Sequence, residues 1–273
     1  MSALALQCFA GGEPVAAISP LDRGLAYGDG LFETLRLHEG QPVWWQEHMQ
    51  RLARGCEALG LAMPDAAWLR ARVDELRAKA PGAGVLKLVL SRGEGGRGYA
   101  PPPRPRPTLI LSLHDLPPPA PAEGLSLRWC DTRLAAQPAM AGLKHLNRLE
   151  QVLARREWQD ADIHEGLMLD GEGRVVCATA ANLFALVDGH WLTPPVDRCG
   201  VAGICRRWLL AEGLAREAAL ERADVEGAQA LFLCNAVRGI LPVRRLGGRE
   251  WPAHPDLHAL RQRLGRAVPA FAP

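Results

Sequence analysis

Apolar and polar positions fall into two blocks along the chain. In the first, Leu4 to Phe9 and Leu31 to Leu37 show the short period expected of strands. Gln46 to Leu59 repeats Met49, Leu52, Ala53, Cys56 and Leu59 at helical spacing, with Arg51 on the polar side and Gly60 as the stop. Ala66 to Ala80 reads as a second helix. Val85 to Ser91 and Thr108 to Leu113 read as apolar strands.

The second block opens with Leu125, Leu127 and Trp129 alternating in a strand. Gly166 to Leu169 and Arg174 to Cys177 flank the turn Asp170-Gly-Glu-Gly173 as a hairpin, and Leu183 to Val187 with Trp191 to Thr193 form another. A helix starts near Gly203 with Ile204, Trp208, Ala211 and Ala215 as its inner stripe. Ala230 to Cys234 reads as a strand, and Leu257, Leu260 and Leu264 mark a terminal helix. Strands and helices intersperse without a regular βαβ repeat, so the expected class is α+β. Proline-rich stretches at 101–107 and 117–121 differ in context. Only the second precedes a restart of the pattern, which predicts domains at 1–116 and 124–273 joined by a linker over 117–123.

Composition adds mainly exclusions. The 273 residues carry a net charge of +2 with basic residues spread out, which gives no case for nucleic acid or a membrane surface as partner. No apolar stretch reaches membrane-spanning length, and no signal-peptide pattern opens the chain. The seven cysteines are scattered, with no C-x-x-C pair, so neither a zinc site nor a disulfide framework is indicated. A cytoplasmic setting is the simplest expectation. Neither nucleotide-binding glycine pattern occurs in the right context.

Lysine is rare here: Lys144 has only Lys79 and Lys87 for company. Unlike arginine, a lysine can lose its proton and form a Schiff base. Asn147 and Glu150 read as a capping box opening a helix with Leu146, Leu149, Val152 and Leu153 as its stripe. Lys144 would therefore lie beside a helix N-terminus, which disfavours a cation. Taken alone, a solvated lysine is the simpler reading. Cys199-Gly-Val-Ala-Gly203-Ile204 is a glycine turn entering a helix, suited to phosphate and equally to an ordinary loop. Ser91-Arg-Gly-Glu-Gly-Gly-Arg97-Gly-Tyr99 reads as an anion-binding loop or a mobile hairpin tip. Together these are the parts that pyridoxal phosphate and a dicarboxylate substrate require.

The chain resembles the fold-type IV pyridoxal-phosphate enzymes, which include branched-chain and D-amino acid aminotransferases and 4-amino-4-deoxychorismate lyase. The likeness rests on Arg23-Gly-Leu-Ala-Tyr-Gly-Asp-Gly-Leu-Phe-Glu-Thr34, His48-Met-Gln-Arg51-Leu52, Lys144-His-Leu-Asn-Arg-Leu-Glu150, Ala181-Asn-Leu-Phe184, Gly200-Val-Ala-Gly-Ile204 and Cys234-Asn-Ala236 leading to Leu241-Pro-Val243. The run Gly84 to Tyr99 and the run Lys144 to Leu153 resemble the lyase branch more than the aminotransferases.

The resemblance implies a two-domain α+β fold, a homodimer and an enzyme that binds pyridoxal 5'-phosphate. It implies that Lys144 is the catalytic Schiff-base lysine. It places Arg51 on the phosphate, with the backbone of Ile204 and Cys205 and the turn at Asn235 and Ala236. Thr34, Arg97 and Tyr99 would lie near the substrate. The lyase branch implies elimination of pyruvate from aminodeoxychorismate, giving 4-aminobenzoate for folate synthesis. An aminotransferase, or a degenerate cofactor-binding protein with weak catalysis, are the alternatives.

One position departs from the family pattern. A glutamate usually precedes the Asn-Leu-Phe segment and pairs with the pyridine nitrogen; here Cys177 stands there. A neutral thiol cannot hold a pyridinium by charge. A neighbouring acid could stand in, and Glu172 is the nearest one before it in sequence.

Overall fold

The structure, a computed structural model, describes residues 3–272. The chain divides into two compact units, Met1–Pro117 with Leu143–Asn147, and Pro118–Gly142 with Arg148–Pro273.

The first unit contains β1 (Ala5–Ala10), β2 (Glu13–Val15), α1 (Arg23–Tyr27), β3 (Gly30–His38), β4 (Gln41–Pro42), α2 (Trp45–Leu59), α3 (Ala66–Lys79), β5 (Val85–Ser91) and β6 (Thr108–His114). Its strands form one antiparallel sheet in the order β2-β1-β6-β5-β3-β4. Leu35, Leu86, Leu88 and Leu111 from the sheet share a buried cluster with Leu52, Leu69 and Leu76 from α2 and α3. Each such side chain contributes about 1.5–3 kcal/mol by leaving water.

The helix α2 buries Met49, Leu52 and Cys56 of its predicted stripe, with Leu59 packed against the core, and leaves Ala53 exposed. Its inward face also takes in His48, Arg51 and Gly55, which the apolar spacing does not predict. The reason is Gly55, where an added Cβ would come within 2.7 Å of Leu31 Cδ1. The missing side chain lets the helix approach β3 on the row that carries His48 and Arg51.

The segment Leu143–Asn147 joins the first unit as a short extension of its sheet. Phe32 N donates to Lys144 O at 2.9 Å and Leu146 N to Gly30 O at 2.9 Å, flanking a bridge between Leu31 and His145. Lys144 therefore sits on a strand edge, and the expected capping box is not formed. Asn147 Nδ2 donates to Gly28 O at 3.1 Å, and Glu150 Oε1 accepts from Ala135 N at 2.8 Å. Both side chains are recruited by other loops.

The second unit contains β7 (Leu125–Trp129), α4 (Leu149–Arg155), β8 (Glu165–Leu169), β9 (Val175–Ala178), β10 (Asn182–Val187), β11 (His190–Thr193), α5 (Ile204–Ala211), β12 (Arg216–Glu217), α6 (Arg222–Gly227), β13 (Ala230–Asn235), β14 (Gly239–Leu246), β15 (Arg249–Glu250) and α7 (Pro255–Ala267). The sheet order is β12-β11-β10-β13-β14-β7-β8-β9, with β15 on β14. It is mixed, because β7 runs parallel to both β14 and β8, and β12 parallel to β11. Phe184 stacks on Phe232 at 4.6 Å between centroids, and Trp191 meets Phe232 edge-on.

Two helices of this unit depart from their predicted stripes. The helix α4 buries Ala154 and leaves Leu149, Val152 and Leu153 exposed. The helix α5 ends at Ala211, so Ala215 lies beyond it, and it buries Ile204, Cys205, Arg206 and Leu209. Arg206 turns inward because its guanidinium reaches Pro194 O at 2.8 Å and the Glu217 carboxylate at 2.5 Å. Among the described residues no helix is long and apolar enough to cross a membrane, and no group of three His, Cys, Asp or Glu side chains could hold a metal.

Candidate active site

The strand β3 sorts the chemistry of the first unit onto two faces. Alternate residues point to opposite sides. Leu31, Glu33, Leu35 and Leu37 are buried, whereas Phe32 and Thr34 are half-buried on the other face. Lys144 Nζ lies 4.2 Å from the Phe32 ring centroid. The amine thus sits over the ring whose strand neighbour on the same face is the Thr34 hydroxyl.

The opposite face holds an ion cluster that sequence reading missed. Arg51 donates from Nε to Glu33 Oε1 at 2.8 Å and from Nη2 to Glu33 Oε2 at 2.5 Å. His48 Nδ1 lies 2.6 Å from Glu33 Oε2. All three are buried, Arg51 being only 6 % exposed, so its place is not the solvent-facing side of α2. Burial pushes the Glu33 carboxyl up, but the Arg51 charge and the hydrogen bonds from Arg51 and His48 outweigh it and bring it down to about 2. Burial, followed by the charges of Arg51 and Lys144, lowers the pKa of His48 despite Glu33. His48 is then neutral near pH 7. It donates from Nδ1 to the ionised carboxylate, which can only accept, and its Nε2 is buried without a partner. The signal for this cluster was in the sequence: a glutamate in the inward phase of an apolar strand demands a cationic partner.

Arg97 and Tyr99 lie on the loop between β5 and β6. Tyr99 is 85 % exposed, and its ring contacts Tyr27 edge-on at 5.5 Å. The backbone of this loop is gathered by Arg23, which opens the first motif of the family resemblance but was given no role there.

In the second unit, the turn from Gly200 leads into α5, whose N-cap is Gly203 with no side-chain cap. The first-turn amides of Ile204 and Cys205 thus meet no capping side chain. An added Cβ at Gly203 would fall 2.1 Å from Asn182 Oδ1, so glycine is required there. Asn235 Oδ1 accepts from Val237 N at 3.0 Å and Arg238 N at 2.8 Å, closing the turn that carries Ala236. Burial, and then the Cys205 thiol at the start of α5, push the pKa of the Cys234 thiol at the end of β13 well up, so it is uncharged. An uncapped helix start beside a tight turn is a cradle for a phosphate group.

Cys177 is buried in β9, and burial pushes its thiol up to about 12. It therefore carries no charge near neutral pH. Glu172 does not stand in for the absent carboxylate, because it is exposed and bound to the Arg198 and Arg174 guanidiniums. The acid that acts on Cys177 from the neighbouring strand is Glu165. Its carboxyl accepts from Gly166 N at 2.9 Å, Ala180 N at 3.2 Å and the Thr179 hydroxyl. Burial raises its pKa in spite of these bonds.

In the first unit the strand-edge amine of Lys144 can condense with an aldehyde, and in the second the uncapped, glycine-formed start of α5 offers amides to a phosphate, so the residues present fit an aldehyde-bearing phosphate cofactor. The chain is 34 % identical to the aminodeoxychorismate lyase of Vibrio harveyi over 84 % of this chain and 87 % of the relative. It is 31 % identical to a putative branched-chain-amino-acid aminotransferase of Methanocaldococcus jannaschii over 87 % and 85 %. The crystal structure of the 4-amino-4-deoxychorismate lyase of Pseudomonas aeruginosa superposes with a TM-score of 0.85 at 44 % identity, covering 96 % of this chain and 99 % of that one. Structures with this fold have been solved with pyridoxal or pyridoxamine phosphate bound. Residues 30–246 match the model of the amino-transferase class IV family, and the chain belongs to that family.

Proposed function

We propose that this protein is a pyridoxal-phosphate-dependent lyase that eliminates pyruvate from 4-amino-4-deoxychorismate and leaves 4-aminobenzoate, a precursor for folate synthesis. The observation that carries the reading is the 44 % identity to the Pseudomonas aeruginosa lyase along nearly the whole of both chains. Cys177 agrees with it. A buried neutral thiol offers no charge to a pyridinium, and an elimination tolerates this better than a transamination.

The cofactor, when bound, supplies a carbonyl that condenses with an amine and a ring that acidifies the adjacent C–H bond. Lys144 would anchor it, and then, as a free amine, take the proton from C4 of the substrate. The C3–O bond breaks as that proton leaves. Its electron pair departs on the enolpyruvate oxygen, which is protonated on the way to pyruvate, and the carbocycle becomes aromatic. Arg51, the amides of Ile204 and Cys205, and the Asn235–Ala236 turn would hold the phosphate. Glu33 fixes the Arg51 fork in one orientation, so less freedom is lost when an anion arrives. Thr34 would present its hydroxyl, and Arg97 its guanidinium, to oxygens of the substrate. Cys177 would face the pyridine nitrogen.

The proposal includes a homodimer. Leu149, Val152 and Leu153 leave an apolar row of α4 exposed, as Leu25 does on α1, and such rows are commonly covered by a partner. The identity to the Methanocaldococcus jannaschii relative keeps aminotransfer as the second reading.

One assay separates the two. Protein loaded with pyridoxal phosphate and given aminodeoxychorismate should release 4-aminobenzoate and pyruvate in equal amounts. Formation of glutamate from 2-oxoglutarate and a branched-chain or D-amino acid, without 4-aminobenzoate from aminodeoxychorismate, would establish the second reading instead.

A further inference from the structure

The glycine-rich loop after β5 is folded around a single buried side chain, Arg23. Its guanidinium donates from Nη1 to Gly98 O at 3.1 Å and Ala100 O at 3.3 Å, and from Nη2 to Tyr99 O at 2.8 Å. Its Nε binds Asp29 Oδ2 at 2.9 Å. The group is 4 % exposed and lies 4.9 Å from the Tyr27 ring centroid, and that ring in turn meets Tyr99. Loop backbone also packs on the stem: an added Cβ at Gly95 would fall 2.6 Å from Arg23 Cδ. The peptide of Arg23 holds the loop as well, since its N donates to Gly93 O at 2.9 Å.

The charge balance explains why the loop carbonyls are drawn in. Asp29 is shared by two guanidiniums, because Arg92 binds both its oxygens at 2.7 Å and 3.0 Å. Arg92 spends its other donors on Leu59 O and Gly60 O at the end of α2. One carboxylate cannot neutralise two buried cations. The partial negative charges of three successive carbonyls supply the remainder for Arg23. The loop conformation at Gly98, Tyr99 and Ala100 is therefore set by a rigid five-donor fork, not by the loop's own side chains. A lysine ammonium cannot present donors to all four oxygens in that plane.

We propose that Arg23 is a positioning residue for substrate recognition: by clamping the carbonyls of residues 98–100, it fixes the direction in which Arg97 and Tyr99 face an anionic substrate. This rests on the reading of that loop as the substrate loop. It assigns the specificity of the loop to a buried residue that touches no substrate.

The test compares Arg23→Lys with Arg97→Ala and the double variant, in holoenzyme with aminodeoxychorismate. Trypsin cleavage after Arg97 is followed by mass spectrometry in the forms that keep that arginine. Arg23→Lys should raise KM at least tenfold with the dissociation constant for pyridoxal phosphate unchanged, and should speed cleavage after Arg97. The double variant should add little to Arg97→Ala, because both act through one group. A rise in KM for Arg97→Ala with none for Arg23→Lys overturns the proposal, and so do fully multiplicative effects. If Arg97→Ala leaves KM unchanged, the substrate-loop reading itself has failed; faster cleavage in Arg23→Lys would then show the clamp alone.

Gly98→Ala is a second route should Arg23→Lys not fold. Gly98 has φ +89°, where a side chain is strained, yet no atom lies within 4 Å of the added Cβ. It should raise KM without loss of cofactor binding, and an unchanged KM would also overturn the proposal.

Discussion

Each unit of the chain carries a glutamate within a strand of its sheet, Glu33 buried and Glu165 half-buried, and the two carboxyls are held in opposite ways. Glu33 is locked between the Arg51 fork and His48, and it stays ionised with its pKa brought down to about 2. Glu165 is held by two amides and a hydroxyl, with no cation in hydrogen-bond contact, and burial pushes its pKa up. Hydrogen bonds from neutral donors satisfy a buried carboxyl without compensating its charge; a guanidinium does both. The region around Glu33 is thus a rigid ionic frame for Arg51. The region around Glu165 and Cys177 has a neutral thiol and a carboxyl whose ionised form is disfavoured by burial.

Charge removal should separate the two regions most strongly. Glu33→Gln leaves the Arg51 charge buried without its counter-ion and should cost about 3–5 kcal/mol of stability, measured by urea unfolding. The same variant should weaken pyridoxal phosphate binding, because the fork loses its orientation. Equal destabilisation by Glu33→Gln and Glu165→Gln would break the comparison.

The pH dependences should have opposite signs. The pKa of Glu33 lies below its ordinary value of 4.5, so its contribution is complete above pH 4.5 and is lost as pH falls towards about 2. The stability gap between wild type and Glu33→Gln should close over that window. The pKa of Glu165 is raised, so its contribution is complete below pH 4.5 and fades as pH rises through its folded value. Glu165→Gln should therefore gain on wild type with rising pH above 4.5, and a gap that widens instead would show that Glu165 is held as an anion.

Smaller effects probe the region around Glu165 and Cys177. Cys177→Glu should keep lyase turnover within about tenfold, or ~1.4 kcal/mol of barrier, while raising side transamination. A gain of orders of magnitude in lyase turnover would show that the elimination does need a carboxylate at that position. Glu165→Gln should cost less than about 1 kcal/mol at pH 5, because its amide oxygen can keep the bonds from Gly166 N and the Thr179 hydroxyl.

Strand and helix existence was legible in the sequence wherever the apolar period was long, as in α2, α3, β5 and α7. What misled was the facing of helices. Apolar spacing alone assigned Arg51 to solvent, because it could not register that Gly55 lets α2 approach β3 on the row containing His48 and Arg51. The Asn147 and Glu150 pattern was consistent with a cap, but long-range partners at Gly28 and Ala135 claimed both side chains. Lys144 stood out through the rarity of lysine, and its strand-edge setting depends on pairing with β3, which lies far away in sequence. Arg23 was visible as the start of a family motif, but its role was not, because three carbonyl acceptors have no sequence identity.

Lys144 is proposed as the amine that anchors the cofactor and moves the substrate proton. Lys144→Ala, with its fold verified by thermal melting, should lose both the visible absorbance of the lysine-bound cofactor and the release of 4-aminobenzoate. A variant that retained that absorbance or turned over at the wild-type rate would contradict the account.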